Sequence, residues 1–133
     1  MSNHRIQTIE LGVTRDAAFA YIANPATLPL WANAFAAVEG HRARLRTPAG
    51  ELDITLHVDA VPNAGTVDWR MIFPDGSTGL AHSRVIALDD ARSIYSFVLT
   101  PPPVPLEQLE GALDAQDGIL HEELKKLKHL LEN

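Results

Sequence analysis

Hydrophobic and polar positions change their period twice along this chain. From His4 to Val13, Ile6, Thr8 and Glu10 alternate with Gln7, Ile9 and Leu11, a period of two that suits an opening strand. Thr14 is a suitable N-cap, and Asp16 stands in the first turn, where the helix dipole favours a carboxylate. Ala17, Ala18, Phe19, Ala20 and Ile22 then supply helix formers and an apolar face. Asn24-Pro25 ends that helix and starts another, because proline disfavours helix before it yet suits a first helical position. Pro29 keeps the second helix short, with Trp31 at its end.

The period of two returns in the middle of the chain. Turn chemistry at Pro48-Ala49-Gly50, Pro62-Asn63-Ala64-Gly65, Pro74-Asp75-Gly76-Ser77 and Asp89-Asp90-Ala91-Arg92 separates runs spaced as consecutive antiparallel hairpins. In the third strand of this count, Leu52, Ile54, Leu56 and Val58 lie opposite Glu51, Asp53, Thr55, His57 and Asp59. In the fourth, Val67, Trp69, Met71 and Phe73 oppose Thr66, Asp68, Arg70 and Ile72. One face of such a sheet is buried and the other wet. Ser93 to Thr100 offers Tyr95, Phe97 and Leu99 as an inner face.

The helical period takes over at the end. Thr100-Pro101-Pro102-Pro103-Val104-Pro105 is a stiff connector that cannot continue a sheet. Beyond it Leu106, Leu109, Leu113, Leu120, Leu124, Leu127 and Leu131 mark one stripe of a long amphipathic helix. Glu107 and Glu110 near its start, and Lys125, Lys126, Lys128 and His129 near its end, suit the helix dipole. The order predicts an α+β fold: a curved antiparallel sheet of six to seven strands wrapped around the terminal helix, with two short helices after the first strand. A sheet that curls around a helix in this way tends to leave a cavity between the two.

Composition narrows the classes. At 133 residues, 46% hydrophobic and 21% charged, the chain reads as one globular domain spanning residues 1–133. The absence of cysteine removes thiolate chemistry and cysteine-based metal sites and fits a reducing cytoplasm. No apolar run approaches a membrane span, so no membrane insertion is expected. A net charge of −6 without a basic stripe argues against nucleic acid as a partner.

Three segments resemble the START-like (SRPBCC, helix-grip) superfamily and its polyketide cyclase/dehydrase-like members. Ala17-Ala18-Phe19-Ala20-Tyr21-Ile22-Ala23-Asn24-Pro25 through Leu28 to Trp31 is similar to the family's opening helix pair. Gly65-Thr66-Val67-Asp68-Trp69 and Arg84-Val85-Ile86 resemble its central strands, and Glu123-Leu124-Lys125-Lys126-Leu127-Lys128 through Leu130, Leu131 and Glu132 its closing helix. The likeness spans nearly the whole chain and implies the helix-grip fold. The superfamily has no shared catalytic signature, so fold analogy assigns no reaction.

Candidate chemistry is sparse. If Pro74-Asp75-Gly76-Ser77 is the loop of the hairpin it interrupts, Phe73 pairs with Thr78, Trp69 with His82 and Val67 with Arg84. Paired residues share a face, which would bring His82 and Arg84 to the cavity as acid/base and anion-binding groups. A slip of one residue turns Ala81, Ser83 and Val85 inward instead and leaves His82 and Arg84 in water. In the last helix Gln116 and Asp117, followed by Gly118, interrupt the leucine stripe. They lie either over the cavity, meeting ligand or water, or at the sheet's open edge. Trp31, Phe35, Trp69, Met71, Tyr95 and Phe97 are the bulky residues expected around the space, either as lining or as core. The six histidines have no metal-ligand spacing, and neither a metal nor a cofactor is expected.

These residues point first to the binding of a small hydrophobic or aromatic molecule with a polar head. A cyclase, dehydratase or isomerase acting on a keto compound through His82 and Arg84 is the alternative that the resemblance implies. An interaction module, such as a homodimer through a sheet edge or the connector near Pro101–Pro105, is a third.

Overall fold

Thr14 accepts a hydrogen bond from the Ala17 amide at 3.1 Å, and the first helix starts where this cap places it. The computed structural model describes residues 4–47, 50–100 and 106–133. Strand β1 (Arg5–Leu11) leads into α1 (Arg15–Ala23), a 3₁₀ turn (Pro25–Thr27) and α2 (Leu28–Trp31). Strands β2 (Phe35–Glu39), β3 (Arg42–Thr47), β4 (Gly50–Val61), β5 (Thr66–Ile72), β6 (Thr78–Ala87) and β7 (Ser93–Leu99) follow, and α3 (Leu106–Glu132) closes the chain. Asn24 divides the short helices as its sequence position implies, its side chain accepting from the Ala26 amide at 3.1 Å.

The seven strands form one antiparallel sheet in the order β1-β7-β6-β5-β4-β3-β2. The first strand pairs with the last, so β1 and β2 are the edges. Helix α3 runs along edge strand β1. Arg5 bonds Asp114 at 2.8 Å, Gln7 donates to the Asp117 carboxylate at 2.6 Å, Lys128 donates to the Glu10 carbonyl at 2.8 Å, and the Gly12 amide donates to Glu132 at 2.6 Å. Beneath these polar ties Leu120, Leu124 and Leu127 are buried against Leu11, Ile22, Leu28, Trp31 and Tyr95 in one core. Removing each such leucine from water is worth about 1.5–3 kcal/mol. The proline connector at 101–105, the turn residues Pro48 and Ala49, and the side chains of Leu106, Leu109 and Leu113 lie outside the described residues.

One expectation needs correction, and one open alternative is decided. The run from Phe35 to Thr47 holds a further turn, where Gly40 takes φ 60° between β2 and β3, so that every later strand moves up one in the count. The β5–β6 hairpin is shifted by one residue from the register that the four-residue loop implied. Ile72, not Phe73, pairs with Thr78, and Trp69 pairs with Ala81. The turn is tighter than that loop: the Phe73 amide donates to the Ser77 carbonyl at 2.9 Å, which sets these two residues opposite each other, and the Gly76 amide donates to the Phe73 carbonyl at 2.9 Å. Asp75 caps the Ser77 amide at 2.9 Å and fixes that turn.

Candidate functional site

Trp31 arrives from α2, Trp69 from β5, and Tyr95 and Phe97 from β7, and their rings meet on the concave side of the sheet. Trp31 stands edge-on to Trp69 and to Tyr95, with centroids 6.4 and 6.3 Å apart. Phe97 stacks on Trp69 at 6.0 Å and meets Tyr95 edge-on at 6.4 Å. Such geometries follow the ring quadrupole and hold the cluster as a unit. Trp31, Trp69 and Tyr95 are buried, Phe97 half-buried.

The polar atoms of this cluster are its unusual feature. Trp31 Nε1, Trp69 Nε1 and the Tyr95 hydroxyl are buried, and among the described residues none has a hydrogen-bond partner. Buried polar groups nearly always find partners, since leaving one unmade costs about 1–3 kcal/mol. Burial pushes the Tyr95 phenol well above its ordinary pKa, an effect that the nearby Ser83 hydroxyl tempers and the Asp68 charge reinforces. The Ser83 hydroxyl proton itself goes to the Val67 carbonyl at 2.6 Å, and the contact with Tyr95 falls short of hydrogen-bond geometry. The cluster therefore presents donors: two indole N–H groups and a phenol that stays protonated.

His82 and Arg84 are not part of this site. In the observed register Ser83 and Val85 are buried, while His82 and Arg84 are exposed on the outer face. His82 Nδ1 lies 3.3 Å from Asp68 Oδ1, and Arg84 Nε donates to the Ala64 carbonyl at 2.9 Å. Gln116 and Asp117 are half-buried beside edge strand β1, where Gln7 Nε2 reaches both the Asp117 carboxylate and its carbonyl, at 2.6 and 2.7 Å. Gln7 answers the break in the leucine stripe for Asp117, and it was visible in the sequence only as one of the polar positions of the first strand.

Phe35, Met71 and Phe73 are half-buried and pack against the core. Trp69, Met71 and Phe73 follow one another on the inner side of their strand and its end. Two open grooves of about 500 and 350 Å³ are both lined by Phe73 and Pro74, and none of the four rings lines either. The larger groove also takes in Ala43 and Ile54, with Arg42, Arg44 and Asp53 on its walls. The smaller one adds Leu52, Asp75 and Ser77.

A polar cluster missed in the sequence lies on the other side of Trp31. Glu123 Oε2 accepts from the Asn33 amide at 2.6 Å, and Lys126 Nζ donates to Asn33 Oδ1 at 2.8 Å. Burial raises the pKa of Glu123, while the Asn33 amide and the Lys126 charge counteract part of that rise. The sequence marked Lys126 only as a basic residue suiting the helix dipole and Glu123 only within the closing helix; their common partner is ninety residues away in the chain for Glu123. Among the described residues no three metal-ligating side chains gather, and no helix is long and apolar enough to cross a membrane.

No protein-family model matches the chain, and no curated protein is similar to it. Solved structures are. A START superfamily protein from Mycobacterium smegmatis superposes with a TM-score of 0.69 at 10% identity, covering 98% of each chain. The Zhui aromatase/cyclase from Streptomyces sp. R1128 gives 0.69 at 13% identity over 97% of this chain and 93% of its own. The di-domain aromatase/cyclase BexL from the BE-7585A biosynthetic pathway gives 0.78 at 17% identity; 98% of this chain matches 47% of that one. The chain thus has the START-like helix-grip fold.

Proposed function

We propose that this protein binds a small, largely apolar aromatic molecule bearing a hydrogen-bond-accepting oxygen, between the concave face of the sheet and α3. The observation that carries this reading is the convergence of three buried, unpartnered donors, Trp31 Nε1, Trp69 Nε1 and the Tyr95 hydroxyl, on one aromatic cluster. Rings supply the apolar walls of a ligand site, and a few placed polar groups orient the guest. Indole N–H groups can only donate, and a neutral phenol donates readily, so the fitting guest offers a carbonyl or ether oxygen.

A cyclase or dehydratase reaction on a keto compound is the second reading, favoured by the aromatase/cyclase names of two structural neighbours. His82 and Arg84 stand on the wrong face to serve it. Within the ring cluster Tyr95 is the one titratable group. With its pKa raised, it can donate to a developing enolate but cannot act as a base near neutral pH.

9-Fluorenone and fluorene share a skeleton and differ by one carbonyl, so titrating each against tryptophan fluorescence separates apolar burial from donor satisfaction. Fluorenone binding about tenfold or more tighter is expected, the ratio produced by roughly 1.4 kcal/mol of hydrogen bonding. Equal affinities, or no saturable binding of either, would overturn the reading.

A further inference from the structure

Asn33 is exposed, yet three different charged side chains hold three of its four polar groups. Its amide donates to Glu123 of α3 at 2.6 Å, its side-chain carbonyl accepts from Lys126 of α3 at 2.8 Å, and its backbone carbonyl accepts from Arg46 of β3 at 3.0 Å. The corner it occupies, between α2 and β2, is otherwise held by the burial of Trp31 and Ala32, by Arg46 reaching the Phe35 carbonyl at 3.4 Å, and by backbone bonds. Ala32 N bonds the Leu28 carbonyl at 2.8 Å, Phe35 N the Ala32 carbonyl at 3.0 Å, and Arg46 N the Ala34 carbonyl at 2.8 Å. On the inner side of this corner sits Trp31, one wall of the aromatic cluster, followed by the buried Ala32.

The corner is thus held on its water side by contacts of a particular kind. Exposed ion-supported hydrogen bonds are worth little individually, because water replaces them at small cost. Helix α2 has only four residues and no side-chain cap, so it stays in place through the packing of Leu28 and Trp31 and through this corner rather than through its own helical bonds. Segments of this sort open at a lower free energy than the sheet behind them. A ligand that reaches the rings must pass some wall, and at this one the polar contacts on the water side, over the buried Trp31 and Ala32, are concentrated on one residue.

We propose that Asn33, clasped by Glu123, Lys126 and Arg46, is the latch of a gate formed by the α2–β2 corner, and that its release moves Trp31 aside and admits ligand to the rings. This rests on the binding reading above and adds a route to it. The latch governs rates of entry and exit rather than affinity, since the bound and free proteins both close it.

The test uses a double variant, Glu123→Ala with Lys126→Ala, beside Glu123→Gln, which keeps an acceptor for the Asn33 amide. Hydrogen exchange is read without ligand at the Ala32 and Phe35 amides, whose own acceptors remain intact in every variant. The double variant should exchange there about tenfold faster or more, and Glu123→Gln should stay near wild type. In stopped-flow mixing with 9-fluorenone, association and dissociation should both accelerate in the double variant, with Kd changed by less than about threefold. Unchanged exchange at Ala32 and Phe35 with only a lower Tm would reduce these contacts to a structural role and overturn the gate. Faster exchange with unaltered fluorenone rates would overturn it as the route of entry while leaving the binding reading intact. Failure of wild-type protein to bind fluorenone would remove both.

Discussion

Asp68 and His82 face each other across β5 and β6 on the outer surface of the sheet, with Oδ1 3.3 Å from Nδ1 and both side chains more than a third exposed. The pair marks which way the β6 side chains turn, because Ser83 beside His82 is buried and bonded to Val67. An exposed pair of this kind contributes about 0–1 kcal/mol. His82→Ala and Arg84→Ala should therefore leave fluorenone affinity at its wild-type value and lower stability by less than about 1 kcal/mol each. Titration of the two variants checks this. A large loss of affinity in either would mean that the outer face takes part in binding.

Tyr95→Phe separates the cost of an unpartnered hydroxyl from its use. In the free protein the substitution removes a buried polar atom that has no partner among the described residues, at almost constant volume. Stability should rise by up to about 1 kcal/mol, read as a higher Tm. Fluorenone should bind several-fold more weakly, and fluorene as before. A fall in Tm would show that the hydroxyl is satisfied in the folded protein.

The architecture was legible because it rests on local periodicity. The alternation through Leu52, Ile54, Leu56 and Val58, the cap at Thr14, the break at Asn24-Pro25 and the closing leucine stripe each report burial one side chain at a time. The face of His82 was not legible. It depends on whether Phe73 stands opposite Thr78 or opposite Ser77, and backbone bonds among Phe73, Gly76 and Ser77 decide that. The same limit hid the turn at Gly40, which lacks the proline or aspartate marks of the other hairpins. Within the site the sequence named the four rings, but the missing partners of their polar atoms depend on tertiary geometry. The Asn33 cluster was invisible for a different reason: Glu123 and Lys126 are the residue types that a solvated helix face carries anyway.

Gly65 is required by its backbone. It has φ 75° and is buried, and a Cβ there would collide with the carbonyl oxygen of Val85, the residue whose amide bonds Gly65 O at 2.8 Å. Gly65→Ala combines a left-handed backbone with a clash against main chain that cannot swing away. A loss of more than about 2 kcal/mol in denaturant unfolding is expected. Gly76→Ala is the control, since its φ is also positive, 88°, but a Cβ there meets open space. It should cost less, and equal losses would remove the clash from the explanation.

Glu123 makes a prediction whose sign depends on which protonation state the fold prefers. Burial raises its pKa in the folded protein, and the Asn33 amide and Lys126 offset only part of that rise. The folded state therefore holds the Glu123 proton to a higher pH than the unfolded chain does. The resulting contribution to stability is fully present below the unfolded pKa and is lost as pH rises through the folded one. At neutral pH the ionised carboxylate is thus a net cost, which Glu123→Gln removes while keeping an oxygen for the Asn33 amide. The variant should be the more stable protein near pH 7–8, by less than about 1 kcal/mol because the site is half open to water. The advantage should shrink as the solution is acidified and vanish once wild-type Glu123 is protonated in both states. Tm values for the two proteins across that range measure it. A variant less stable at neutral pH would show that Lys126 and the Asn33 amide outweigh burial and that the carboxylate charge itself holds the corner to α3.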